Sequence, residues 1–400
     1  MMADILFLCQ RIPFPPTKGD KIRSFHILDH LARRHRIHLG TFVDDPEDRG
    51  FEADLKRYCA DALVLPLDRR VATGRALLAL PSATPLSIAF YRDRRMQRWV
   101  DGVLARRPAA AFLFSSAMAQ YVVGHPAAPP RVVMDFVDVD SEKWAAYARD
   151  RQGPRRWVYA REAKRLLAYD RQIAARVDAS LFVSQAEADL FGTLAPESAG
   201  RIHPLSNGID TVFFDPTLTY ADPYSPGKPV LVFTGAMDYE PNVKAVCWFA
   251  SQVLPLVRAA RPAAEFWIVG ANPASAVRAL DRHPGVTVTG RVADIRPYLA
   301  HADVAVAPMF LGRGIQNKVL EAMAMARPTV VSAEAVEGIG AGDGAELLVA
   351  PLSPRGFADA TLEALAPGAA ALGQRARRYL LDAFAWERTI APLGACLGLP

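Results

Sequence analysis

Residues 308 to 326 read PMFLGRGIQNKVLEAMAMA, and in this stretch Lys318 and Glu321 stand three residues apart behind two glycines, Gly312 and Gly314. Glycine lets a backbone approach a ligand closely, and the unpaired amides of a first helical turn point at an anion. Three residues apart on a helix, the lysine and the glutamate occupy neighbouring faces near its start. The lysine supplies positive charge for a phosphate, and the glutamate accepts hydrogen bonds from sugar hydroxyls. A nucleoside diphosphate sugar needs both. The plain alternative is an ordinary βαβ unit with a solvated Lys/Glu helix.

The neighbouring segments are of the kind that would position this loop. Asp303 to Ala307 (DVAVA) precedes it and Pro328 to Val331 (PTVV) follows, so strand, loop, helix and strand succeed one another. The pattern recurs along the chain. Ala3–Cys9, 37–43, 62–67, 110–115, 131–136 and 179–183 read as strands, most of them separated by helical patterns, with a first helix over about 21–34. A nearly continuous apolar run such as ADILFLC suits a parallel strand buried on both faces. A second series, 230–234, 265–269, 286–289, 304–307, 329–331 and 347–349, follows a Pro-rich segment, 215–229, with the composition of an inter-domain linker. The fold class is therefore α/β, with two doubly wound halves whose ligand is expected at the carboxyl ends of the strands.

Composition sets wider bounds. Four hundred residues exceed one comfortable core, and 51% hydrophobic with 22% charged residues is a globular balance. The net charge of +5 suits acidic company without choosing among nucleotide sugars, anionic lipid and RNA. Cys9, Cys59, Cys247 and Cys396 are scattered with no CxxC pair, which reads as reduced core cysteines of a cytoplasmic protein. The first strand carries Asp4 and has no basic region before it, so no secretory signal is expected. The long uncharged stretch 108–130 is broken by Ser115, Ser116, Gln120, Gly124, His125 and Pro126 and reads as a strand plus a short helix.

SNGID (206–210), FTGAMDYEPNVKA (233–245) and the 308–326 stretch together resemble retaining family 4 glycosyltransferases of the GT-B fold. GDKIRSFHILDHLARRHRIHLGTF, DFVDVDSEKW (135–144) and RGIQNKVLEAMAMARP are similar to the exosortase/PEP-CTERM-associated sugar transferases, which accompany exopolysaccharide loci. The resemblance implies two Rossmann-like domains facing each other across a cleft. Residues 1–208 form the acceptor side, with a C-terminal helix of about 385–400 packing back on it. Residues 209–384 bind the nucleotide sugar. It implies donor contacts from Gly19, Gly235, Asn242, Lys244, Gly312, Gly314, Ile315 and Glu321, and catalytic roles for Lys318, Arg313 and Asp138. The family signature is two glutamates separated by seven residues. Glu321 matches the second, but the first position holds Arg313.

Each assignment has a structural alternative. Asp20 is equally suited to N-capping the first helix and Asp140 to capping the helix that starts at SEKW. Lys244 can be a solvated first-turn lysine, and Asn207 with Gly208 reads as an inter-domain turn with Gly208 at positive φ. The basic, aromatic-studded stretch 151–176 reads either as a helix for an anionic membrane or as a solvated surface helix. No nucleic-acid motif accompanies it. No metal cluster, cofactor lysine motif or Ser–His–Asp arrangement is visible, so no metal or cofactor is expected. The partners expected are a nucleotide sugar donor and a saccharide or lipid-linked acceptor. Rival readings are a nucleotide-sugar epimerase of the same fold and a non-catalytic polysaccharide-assembly protein. A guanidinium at position 313 favours carboxylate or phosphate partners and so an acidic or unusual donor sugar. The test is Arg313→Glu, which is expected to change donor preference in a competition between neutral and acidic nucleotide sugars. Unchanged preference and rate would remove this reading.

Overall fold

The computed structural model describes residues 2–16, 19–311 and 315–399, and the chain divides into two compact units. One is residues 1–206 with 389–400, and the other is residues 207–388. The first unit is built on seven strands: β1 (Asp4–Cys9), β2 (Arg36–Val43), β3 (Asp61–Pro66), β4 (Ala110–Phe114), β5 (Val132–Val137), β6 (Ala179–Phe182) and β7 (Ile202–Pro204). They are all parallel, in the order β3-β2-β1-β4-β5-β6-β7. Ile5 to Cys9 and Ala110 to Leu113 are wholly buried, as expected of central strands covered by helices on both faces. The seventh strand was not expected from the sequence. It is three residues long, it ends in a proline and it sits at an edge, so its pattern is too short to register.

One ion pair braces this unit internally. Arg23, on the helix Gly19–Ala32, is fully buried and grips the equally buried Asp135 of β5, with Nε to Oδ2 at 2.8 Å and Nη2 to Oδ1 at 3.1 Å. Its Nη1 also donates to the carbonyl of Leu205 at 2.6 Å. The arginine fork thus ties the first helix to the middle of the sheet and to the chain just past β7. The short helix Pro392–Leu397, near the chain terminus, packs on β4 and β5 in this same unit.

The second unit has six parallel strands: β8 (Val230–Thr234), β9 (Glu265–Val269), β10 (Val286–Gly290), β11 (Val304–Ala307), β12 (Thr329–Val331) and β13 (Leu348–Val349). Their order is β10-β9-β8-β11-β12-β13, so the chain reverses direction across the sheet between β8 and β11. The helical stretch Glu240–Ala260, with a π-helical segment at Phe249–Val253, is long and apolar enough to cross a membrane. Its Phe249, Val253, Leu254 and Val257 are instead buried in the core of this unit.

Two expectations change here. The Pro-rich segment 215–229 is not a bare linker. Tyr224 is buried, stacks edge-on to Trp267 at 5.0 Å and donates its hydroxyl to the Tyr298 carbonyl at 2.7 Å, so the segment belongs to the second unit. Gly208 is not at positive φ. Glycine is required there because a Cβ would lie 2.7–2.8 Å from the ring and Cα of Trp386.

Removing one partner of a buried pair leaves the other charge uncompensated, which typically costs about 3–5 kcal/mol. Asp135→Ala is therefore expected to destabilise the first unit by about that much in urea denaturation. A loss within about 0.5 kcal/mol, the range of ordinary surface substitutions, would show that the pair braces nothing.

Candidate active site

The carboxyl ends of β8 and β9 touch through two glycines. Gly235, just past β8, has φ +152°, and its amide donates to the Val269 carbonyl at 3.1 Å. A Cβ on Gly270, just past β9, would lie 1.7 Å from the Gly235 carbonyl oxygen, and one on Gly235 would lie 2.7 Å from Asn242 Nδ2 and 3.6 Å from Lys318 Cε. Side chains at either position would force these segments apart. Asn242, in the helix Glu240–Trp248, is buried and donates Nδ2 to the Ala236 carbonyl at 2.9 Å, which fixes the turn after β8. Its Oδ1 is buried without a hydrogen-bond partner among the described residues.

The helix Asn317–Ala324 starts beside this turn, after a loop tied to β12 by Ser332 Oγ donating to the Met309 carbonyl at 2.6 Å. Among the described residues no side chain caps its first turn, because the carboxamide of Gln316 is taken: Lys318 Nζ donates to Gln316 Oε1 at 3.0 Å. The same ammonium lies 5.5 Å from the centroid of Phe233. Val319, Leu320, Ala322 and Met323 are buried, so the packing of the helix leaves no freedom in where Lys318 and Glu321 emerge.

Lys318 and Glu321 are both half-buried and titrate abnormally. Burial draws Lys318 down to about 8 while Glu321 pulls the other way. Burial lifts Glu321 to about 7, opposed by Lys318 and by a hydrogen bond with Thr234. A partly desolvated cation and carboxylate near an uncapped helix start form a prepared site for an anion that carries hydroxyls. Thr234, Gln316 and Gly270 were not anticipated. Gly270 had a legible signal, a glycine directly after an apolar strand, whereas Thr234 and Gln316 depend on which side chains the packing brings together.

The other expected residues fall elsewhere. Ile315 is half-buried and packs on the core of the second unit. Lys244 is exposed and lies 4.3 Å over the Phe310 ring, which meets Trp248 edge-on at 5.5 Å. Gly312, Arg313 and Gly314 lie outside the described residues. Gly19 and Asp138 belong to the first unit. Gly19 begins the first helix, and Asp20 lies inside its first turn, where it pairs with Arg11 at 2.6 Å. Burial works against the charge of Arg11, but Asp20 and Asp44 outweigh it. Asp140 is likewise the first helical residue and not the cap. Asp138 Oδ2 accepts from Lys143 Nζ at 2.6 Å, and Asp140 lies 3.0 Å from the same nitrogen. Burial opposes the charge on Lys143, but Asp140 and Asp138 keep it firmly protonated. Beside Asp138, Val137 is held at φ +70°, a conformation that costs a β-branched residue about 1–3 kcal/mol and marks the end of β5 as a place where geometry is imposed. Among the described residues no group of three or more His, Cys, Asp and Glu side chains gathers as a metal site.

Residues 228–367, which contain this site, match the family model for glycosyl transferases group 1. None of the curated proteins matches the chain. Solved structures match it along almost its whole length. HepE (Alr3699) of Anabaena, solved with UDP and glucose, is 15% identical with a TM-score of 0.66, covering 99% of each chain. Sucrose-phosphate synthase of Thermosynechococcus elongatus is 17% identical with a TM-score of 0.66, covering 98% of each. WaaG, a glycosyltransferase involved in lipopolysaccharide biosynthesis, is 15% identical with a TM-score of 0.65, covering 98% of this chain and 100% of its own. The fold is GT-B.

The two shifted groups give opposite pH dependences. A carboxyl raised from 4.5 to about 7 on folding stabilises the fold most below 4.5, and that contribution is lost as pH rises towards 7. An ammonium lowered from 10.5 to about 8 penalises the fold below 8, and the penalty is relieved as pH rises towards 10.5. Thermal melts of Glu321→Gln are therefore expected to lack the wild-type decline between pH 4.5 and 7. Parallel curves for the two proteins would contradict the burial of this carboxyl.

Proposed function

We propose that this chain is a glycosyltransferase that moves a sugar from a nucleoside diphosphate sugar to a hydroxyl, with retention of configuration and without a resident metal or cofactor. The observation that carries the reading is the half-buried Lys318–Glu321 pair at an uncapped helix start, against the Gly235–Gly270 contact. The match of residues 228–367 to group 1 glycosyl transferases supports it, as does the likeness to HepE, which was solved with UDP and glucose. The sequence motifs point further, to family 4 and to the exosortase-associated subgroup. On that reading the acceptor is a lipid-linked saccharide of exopolysaccharide biosynthesis, and the enzyme works in the cytoplasm at the inner membrane face.

In the reaction the bond between the sugar's anomeric carbon and the diphosphate oxygen breaks, and its electron pair leaves with the phosphate. The acceptor oxygen bonds to the anomeric carbon, and its proton passes to the departing diphosphate oxygen. The chief electrostatic demand is the charge gathering on the departing diphosphate. Lys318 and the amides at the start of its helix meet that demand. An incoming diphosphate favours the charged lysine, which exchanges Gln316 for phosphate oxygen. Glu321 accepts from donor hydroxyls, while Gly235 and Asn242 shape the floor on which the donor rests. Gly19, Lys244, Gly312, Gly314 and Ile315 complete the donor contacts in this reading, and Arg313 takes a catalytic role. Asp138, held by Lys143, orients the acceptor hydroxyl.

Losing one preorganised contact to developing charge typically costs ~10²–10³ in rate. Lys318→Ala is accordingly expected to lower kcat by ~10²–10³, with a smaller change in donor KM, in a turnover assay with the sugar donor found by thermal-shift screening. A donor present at 100 times its Kd should stabilise the wild type by about 2.7 kcal/mol. Equal turnover in variant and wild type would remove Lys318 from the mechanism. Conversion of the donor sugar without any acceptor would make the enzyme an epimerase instead.

A further inference from the structure

The first unit carries a hollow of about 640 Å³ at the carboxyl ends of β1, β2 and β3. Arg11 follows β1, Val43 closes β2 and Leu67 follows β3, so all three strand ends contribute. Parallel sheets bind their ligands at such ends, and the volume is that of an ordinary small-molecule pocket. None of the residues given a part in the transfer above lines it.

The charges around the hollow fall into two groups. Arg11 is fixed: Nε and Nη2 donate to the two oxygens of Asp44 at 3.0 and 3.1 Å, and Nη1 reaches Asp20 at 2.6 Å. Asp68 accepts from the amides of Arg70 and Val71 at 2.8 and 3.3 Å, and so holds the start of the helix Arg69–Leu78. Asp45 is engaged as well. Arg49, Arg69 and Arg70 form the other group. All three are exposed, and among the described residues no carboxylate or carbonyl holds their guanidiniums. The lining thus combines free fork-shaped donors, fixed carboxylate oxygens and two buried apolar side chains, Val43 and Leu67.

That combination selects a ligand. A guanidinium fork pairs bidentately with a carboxylate or a phosphate. Four arginines against three aspartates leave one positive charge, which one carboxylate neutralises. A phosphate group, with close to two negative charges, would face the three aspartates with too little positive charge to offset them. The aspartates in turn keep lone pairs for hydroxyl donors. A hydroxylated monoanion satisfies both halves of the lining, and a sugar acid is such a molecule.

We propose that this hollow binds an acidic sugar residue, a uronate, in the saccharide acceptor. The proposal rests on the reading above that the acceptor is a saccharide, and it names the class. β5, whose end leads to Asp138, lies two strands from β1, ~10 Å across the sheet. The uronate therefore sits beside the sugar that reacts, and an acceptor of more than one sugar reaches both.

The test is isothermal titration of the full chain with an oligogalacturonate, an oligoglucuronate and the methyl ester of each. The ester keeps the sugar skeleton and loses only the charge. The wild type is expected to bind at least one acid ~10-fold or more tighter than its ester, about 1.4 kcal/mol, near the lower end for a hydrogen bond to a charged group. Added salt should weaken binding of the acid and leave the ester alone. Arg69→Ala with Arg70→Ala should bind acid and ester alike. Both arginines are exposed, so the melting temperature should stay as in the wild type. Equal binding of acid and ester by the wild type, no binding of either, or full discrimination kept by the double variant would overturn the proposal. So would tighter binding of inorganic phosphate than of either acid. Absence of stabilisation by any nucleoside diphosphate would instead strike the transferase reading, with the comparison of acid and ester still deciding the hollow.

Discussion

The candidate site of the second unit depends on two backbones meeting where neither residue has a side chain. The Gly235 carbonyl occupies the space a Cβ at Gly270 would need, and Asn242 and Lys318 fill the space beside Gly235. Because these segments close on each other, the start of the 317–324 helix lies beside the turn after β8. The lysine and glutamate of that helix are then partly desolvated, which pulls each pKa towards neutrality. Larger residues at 235 or 270 would separate the segments, rehydrate the pair and return both groups towards their ordinary titration.

The first unit uses charge differently. Arg23 and Asp135 are fully buried, and each satisfies the other, so they act as a brace with nothing left over for a ligand. Asp138 and Lys143 lie three and eight residues further along, where the chain leaves β5 through a strained Val137. That pair retains access to solvent. One strand thus carries an aspartate committed to the interior and leads to another that keeps access to solvent.

Much of the fold was legible along the chain. Four strands of the second sheet, 230–234, 265–269, 304–307 and 329–331, match their expected bounds, because parallel strands buried on both faces write unbroken apolar runs. Capping was less legible. Asp20 and Asp140 look like N-caps, yet each lies inside its helix and spends its carboxylate on a cation, Arg11 or Lys143. An aspartate near a helix start has two ways to be satisfied, and a basic partner decides between them: Arg11 from the preceding loop for Asp20, and Lys143 one turn along the same helix for Asp140. The proline-rich 215–229 segment misleads for a related reason. Its composition says linker, but Tyr224 finds Trp267 and Tyr298 to pack against.

By itself the sequence determined the strand–helix alternation, the two sheets and the chemistry concentrated between residues 308 and 326, since all of these follow from local periodicity and residue type. Only the tertiary structure decided that Lys244 lies over Phe310, that Thr234 and Gln316 hold the Glu321–Lys318 pair, and that the 69–78 helix faces its leucines outward. Those outcomes depend on burial and on partners distant along the chain. Desolvation and steric exclusion belong to the packed interior, and no local pattern of residues records them.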